Sequence, residues 1–365
     1  MNTTPNAPTA PPLAPAILRI LHGTTVAADV TSALTDGREV TADDPRALRA
    51  ALAAAFYRRH HMGRTDDETP APRSPRDTAL EARLLAAMPH RHLTRVVELL
   101  GEGDETGVPV VLEGVRVTVP RERVDTTRTG SGGRARVRLD AARPAVSPGF
   151  FLCEGTTPAR TRPTGILRVY LHVTEPEAAP PLWADVLDLL EGERLPYRAK
   201  IASSRTGYPR QDGCVVYLGP DSWDAAELIA DTVRGLPGLG STVSAFAREL
   251  APGVGAAWEP DDGRPGMRRV SFGEHRAAAV AAGLVEHALD PTSRSRARAV
   301  HDCLLEAGID PADPAHNIAS PREVLPARTA PAAATGAPAP SSARAAETSP
   351  RPPDGLPEPL ATAGR

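Results

Sequence analysis

Lys200 is the only lysine in a chain that carries 42 basic residues. Where positive charge alone is needed, arginine serves. A lysine is required where an amine must give up its proton, which a guanidinium does not do. An unperturbed lysine is protonated at neutral pH. It becomes a base only where desolvation or neighbouring cations favour its neutral form. Side chains alternate along a strand, so in the segment 166–173 Arg168, Tyr170 and His172 share one face. The other face holds Leu167, Val169, Leu171 and Val173. By the same rule Arg198 and Lys200 share a face of the segment 198–202. If these two strands neighbour each other, one sheet face gathers Arg, Tyr, His and Lys; the plain alternative is a solvated polar face.

More groups of the same kind follow. The loop after Ser203 carries Arg205, Tyr208, Arg210 and Asp212 into an apolar strand, and loops entering sheets often hold binding groups. A guanidinium fork takes phosphate or carboxylate in two-point contact. Asp212 either orients one of these arginines or caps the turn. Arg248 comes next, then a helix opening at Ser271–Arg276 with His275 and Arg276 on its first turn. Free amides at such a helix start favour an anion. The clusters Arg58–His61 and His90–His92 read as helix-end charge, because neighbouring histidines on a helix diverge and no acid or cysteine stands at ligand spacing. The glycine-rich run 128–134 lacks the lysine and following helix of a phosphate loop.

The elements that must position these groups read as α+β: an N-terminal helical subdomain, then a mixed, mainly antiparallel sheet with packed helices. Residues 1–15 and 320–365 are rich in Pro, Ala, Ser and Thr without apolar periodicity and read as disordered. Residues 16–94 form the helical subdomain, and the stretch as far as 105 looks helical; Asp43-Asp44-Pro45 starts one helix and 77–88 is another. The α+β domain runs over 95–307. Strands are expected at 96–100, 108–112, 115–119, 134–139, 150–153, 166–173, 198–202, 214–218 and 241–246. Helices are expected around Leu182–Leu190, Ala226–Val233, from about Glu274, and over 293–307.

Composition narrows the function class. The net charge of −3 offers no basic field for nucleic acid. Three distant cysteines make neither a disulfide framework nor a cysteine zinc site, which fits a cytoplasmic protein. No signal peptide or membrane-spanning run is visible.

Five short stretches in fixed order resemble the HopA-type type III effector family, and more closely its relatives in actinobacterial peptide-modification clusters. They are Arg168–Tyr170, Tyr197–Lys200, Tyr208–Tyr217, Leu250–Pro260 and Ser271–Arg276. The likeness covers about 95–290, with His172 and Arg248 standing where the family commonly has Asn and Lys. The resemblance implies the lyase component of a split (class V) lanthipeptide or thioamitide dehydratase. A kinase-like partner phosphorylates Ser or Thr of a ribosomal precursor peptide. The lyase then expels phosphate to leave dehydroalanine or dehydrobutyrine, and a cyclase can follow. On that reading Lys200 is the base, and the acid is Tyr170, His172 or, third, His275. The phosphate ligands are drawn from Arg168, Arg205, Arg210, Arg248, His275 and Arg276, and Asp212 orients them. No metal or organic cofactor is required. The competing readings are a non-catalytic phosphopeptide- or protein-binding module and a scaffold that activates the kinase.

Overall fold

The computed structural model describes residues 12–65, 76–125, 133–160, 165–267 and 270–325, with the side chain of Ala145 left out. Most of the ends expected to be disordered, of the polar, Pro-containing stretch 65–75 that reads as a loop, and of the run 128–134 lies outside the described residues. Where the ends are described they are anchored: Leu13, Ala14 and Leu325 are buried.

The chain begins α1 (Pro15–His22), β1 (Thr24–Val26), β2 (Ser32–Thr35), β3 (Arg38–Thr41), α2 (Pro45–Phe56) and α3 (Thr78–Ala86). The expectation of helix throughout 16–105 is therefore corrected. β1, β2 and β3 form a three-stranded antiparallel sheet. Its hairpin turns on Asp36 and Gly37, both with positive φ, 49° and 79°, and this Asp-Gly pair suits a two-residue turn. α2 forms as its sequence dictates. The Asp44 side chain accepts a hydrogen bond from the Ala47 amide at 2.7 Å, and Pro45 fits the first turn. Leu48, Leu52 and Phe56, four apart, are buried. The helix continues into one π-helical stretch, Tyr57–His61.

Next come β4 (His92–Leu99), β5 (Val108–Leu112), β6 (Val115–Val119), β7 (Val124–Asp125) and β8 (Arg134–Asp140). They make a sheet in the order β6-β5-β4-β8-β7 with a small valine core of Val97, Val108, Val110, Val119 and Val137. The chain goes on as β9 (Ala142–Ser147), β10 (Phe150–Glu154), β11 (Leu167–Val173), α4 (Ala179–Gly192), β12 (Tyr197–Ala202) and β13 (Arg210–Leu218). It closes with α5 (Ala225–Val233), β14 (Arg248–Ala251), β15 (Val254–Trp258), α6 (Phe272–Leu289) and α7 (Arg296–Glu306). The stretch 241–246, expected as a strand, is irregular; the edge strand β14 and its neighbour β15 lie just after it.

The central sheet has seven strands in the order β14-β15-β11-β13-β12-β10-β9, every pair antiparallel. β11 is buried on both faces apart from His172, because helices cover it from both sides. On one face Trp183 of α4 meets Phe151 edge-on at 6.3 Å. On the other, Phe272 of α6 and His61 of the π-helical stretch pack on Tyr170 at 5.6 and 5.5 Å. Gly273 permits that approach, since a Cβ there would stand 2.1 Å from the His61 ring. α6 starts with a capping box in which Ser271 and Glu274 satisfy each other's backbone amides. One continuous core joins α1–α3 to the seven-stranded sheet.

Candidate active site

β13 lies between β11 and β12, so the strands of Arg168 and Lys200 are two apart and parallel to each other. Register decides what shares a face. Arg168 is opposite Tyr217, which is opposite Arg198. Tyr170 is opposite Val215, which is opposite Lys200, which is opposite Leu152. Arg168, Tyr217, Lys200 and Phe150 therefore stand on one face, as alternation predicts for Arg168 and Lys200. Strand spacing of about 4.8 Å leaves a gap between those two cations, and aromatic rings fill it.

The rings order the cations. Lys200 Nζ sits 4.2 Å from the centre of the Phe150 ring and 5.9 Å from that of Tyr217. Arg168 Cζ lies 5.1 Å from the Tyr217 ring on its other flank. Arg210 Cζ lies 5.0 Å from the Phe150 ring. Each such contact is worth about 0.5–2 kcal/mol, more as water is excluded. The result is a row of three cations separated by two rings. Lys200 is half-buried, and among the described residues its ammonium has no hydrogen bond or ion pair with a carboxylate.

The two arginines of the row are held from behind. Arg168 donates through Nε to Glu259 and lies beside the Tyr170 hydroxyl without completing a well-formed hydrogen bond to it. Arg210 grips Asp212 with two bonds, Nε to Oδ1 at 2.6 Å and Nη2 to Oδ2 at 2.8 Å, and reaches the Tyr57 hydroxyl at 3.3 Å. Burial raises the Asp212 carboxyl, but Arg210 and His61 outweigh it and hold the acid well below the usual carboxylate range. Burial, followed by the Asp212 charge, pushes the Tyr57 hydroxyl up to about 12. His61 completes the buttress, with Nε2 at 3.5 Å from Asp212 and Nδ1 at 2.9 Å from Ser244 Oγ. Asp212 thus orients an arginine rather than capping a turn.

The remaining residues singled out in the sequence stand elsewhere. Tyr170 is 2% exposed and roofed by His61 and Phe272. His172 is tucked under the 238–242 loop, its Nδ1 3.0 Å from the Thr242 carbonyl, and burial lowers its pKa. Arg205 is on the surface, paired with Asp77 at 3.3 Å and Glu177 at 2.5 Å. Arg248 is a correction: its register with Ala256, and through it Val169, sets it on the opposite face, ion-paired with Asp313.

His275 and Arg276 are corrected too, for they are sealed inside. Arg276 is fully buried, donating to the Pro314 carbonyl at 3.1 Å and Asn317 Oδ1 at 2.7 Å. Its Nη1 donates to His275 Nδ1 at 2.8 Å, and His275 Nε2 donates to Asp262 at 2.8 Å. The pair fastens the 314–317 segment to α6 and is closed off from solvent. Phe150 and Tyr217 are the site members that the sequence reading passed over. The signal for Tyr217 was present, since alternation along 214–218 separates it from the buried Val216.

Two cavities of about 310 and 320 Å³ lie away from this face. The first is between α2 and the β2–β3 hairpin, lined by Asp36, Arg38, Arg58 and Arg64; the second lies against α6, lined by Thr24, His287 and Arg296. Among the described residues no cluster of three or more His, Cys, Asp or Glu could hold a metal. Within the same residues no helix is long and apolar enough to cross a membrane.

No curated protein sequence matches the chain. Two solved structures similar to it are effector proteins of Pseudomonas syringae. The one from pathovar tomato strain DC3000 is 15% identical with a TM-score of 0.43, covering 74% of this chain and 90% of its own. The one from pathovar syringae strain 61 is also 15% identical, with a TM-score of 0.41, and covers 74% and 94%. Residues 141–316, the span that carries Phe150, Arg168, Lys200, Arg210 and Tyr217, match the model of the HopA1 effector protein family.

Proposed function

We propose that this face eliminates phosphate from phosphoserine or phosphothreonine in a precursor peptide that a kinase-like partner has phosphorylated. The observation that carries the reading is the Lys200 amine, held over Phe150 without a carboxylate partner between two arginines that have them. Glu259 and Asp212 fix the arginines in place, so their charge is positioned before a ligand arrives, and preorganised charge is the main source of electrostatic catalysis. A phosphate resting against Arg168 and Arg210 would bring the Cα–H of its residue to the amine between them. Lys200 takes that proton and the C–H electrons become the Cα=Cβ bond. The Cβ–O bond breaks, and phosphate departs with its electron pair beside the guanidinium groups. A positioned base is worth about 10²–10⁴-fold. The cations stabilise the leaving anion.

The experiment is mass spectrometry of a peptide carrying phosphoserine or phosphothreonine, incubated with and without this chain. The expected result is loss of phosphoric acid that depends on the protein. Capture of the phosphopeptide with its phosphate intact would instead make the face a binding module, and the lyase reading would be wrong.

A further inference from the structure

Resting on the lyase reading, a second reacting group can be assigned: we propose that Tyr217 is the general acid that protonates the departing phosphate. A phosphate monoester dianion would otherwise leave as a trianion, so the reaction needs a proton at the bridging oxygen. The three acids suggested by the sequence are poorly placed to give one. Tyr170 is 2% exposed beneath His61 and Phe272. His172 lies under the 238–242 loop with Nδ1 3.0 Å from the Thr242 carbonyl and 3.2 Å from the Thr242 hydroxyl, so that nitrogen is already engaged. His275 gives its one N–H to Asp262 and accepts from Arg276 at the other nitrogen.

Tyr217 differs in each respect. It is half-buried on the open part of the same sheet face, opposite Arg168 on one side and Arg198 on the other. Its ring lies between the Arg168 guanidinium at 5.1 Å and the Lys200 amine at 5.9 Å. Among the described residues no protein group takes its hydroxyl proton. The acid thus sits between the base and a phosphate-binding arginine, where the two ends of an eliminating residue must lie.

The balance is complete. Neutral Lys200 gains the Cα proton, the Cβ–O electrons go to the bridging oxygen, and Tyr217 gives its O–H proton to that oxygen. The products are the dehydro residue and hydrogen phosphate. The protein is left with ammonium and tyrosinate side by side, and solvent returns the proton from Lys200 to Tyr217. Two flanking cations stabilise the transient tyrosinate.

The test uses Tyr217→Phe, which keeps the ring that braces Arg168 and Lys200, with a thermal melt to verify folding. Two peptides are compared: one with phosphoserine, the other with its sulfate ester, whose leaving group departs without a proton. Tyr217→Phe should lose about 10²–10⁴-fold on the phosphate and less than about 10-fold on the sulfate. Lys200→Arg should lose both. A Tyr217→Phe variant as fast as wild type on phosphate, or equally slowed on both esters, overturns the assignment while leaving the lyase reading intact. A wild-type protein inert toward both esters removes the lyase reading, and this proposal with it.

Discussion

At the level of single residues, the chemistry turns on which arginine stands on which face. Arg168 and Arg248 look alike in sequence, each inside a strand motif. In the fold, Arg168 flanks Tyr217 beside Lys200, whereas Arg248 pairs with Asp313 on the opposite face. Arg168→Gln should weaken capture of a phosphopeptide by roughly 10–100-fold, the worth of about 1.5–3 kcal/mol of charge-assisted bonding. Capture of the unphosphorylated peptide should hardly change. Arg248→Gln should leave phosphate discrimination intact and lower stability instead, because Asp313, which also pairs with His316, loses its guanidinium partner. Paired titrations with both peptides check this, and equal discrimination losses in the two variants would contradict it. Lys200, Arg168 and their shared facing were legible in sequence, because strand alternation is a local rule. The bracing by Phe150 and Tyr217 was not, because it depends on β13 entering between β11 and β12. Strand order is a long-range property that periodicity does not encode.

At the level of elements, α6 acts as the clamp. Its first turn presents Phe272 to Tyr170 and Gly273 to His61, and it sinks Arg276 into the 314–317 segment. The capping box that begins this helix was visible as Ser271 followed by Glu274 three residues on. Its basic first turn suggested an anion site, but the turn faces inward and its donors meet acceptors of the same chain. Arg276→Ala should therefore destabilise the protein by about 3–5 kcal/mol, as breaking a buried charged network does. Chemical denaturation measures it. A variant of wild-type stability with impaired phosphate capture would restore Arg276 to the site. The first hundred residues were the least legible. β1–β3 are three or four residues long, too short to show a period against the helices on either side, although Asp36-Gly37 marked their turn. The edge strand β14 and its neighbour β15 hid among glycines and alanines, where β propensity is weak.

For the molecule as a whole, burial of histidine sets the acid limit of stability. His275 and His316 are 2% and 1% exposed. Burial, then Arg276, pulls His275 down to about 4, against the opposing pull of Asp262. Burial, then Arg248 and Arg322, pulls His316 down to about 4 as well, with Asp310 opposing. Between the ordinary value of about 6.5 and that range, the unfolded chain binds protons that the native state refuses. Stability from these groups is thus full above about pH 6.5 and falls as the pH drops towards 4. Each tenfold difference in proton affinity between the folded and unfolded chain is worth about 1.4 kcal/mol. Urea titrations at neutral pH and near pH 5 should show a clear loss; unchanged stability would mean that these histidines charge freely in the fold. Arg168 and Arg210 stay charged across this range, since the groups around them raise their pKa despite burial, so unfolding of the clamp precedes any loss of their charge.

The most direct test of Lys200 as the base is the rate of phosphate loss from a pre-phosphorylated peptide, measured on wild type and on Lys200→Arg. The substitution keeps the positive charge and the rings that hold it, and removes the one amine that can accept a proton. Wild type should yield the dehydro peptide, while Lys200→Arg should bind the phosphopeptide but be slowed by at least about 10²-fold. Elimination by Lys200→Arg at the wild-type rate would contradict the assignment.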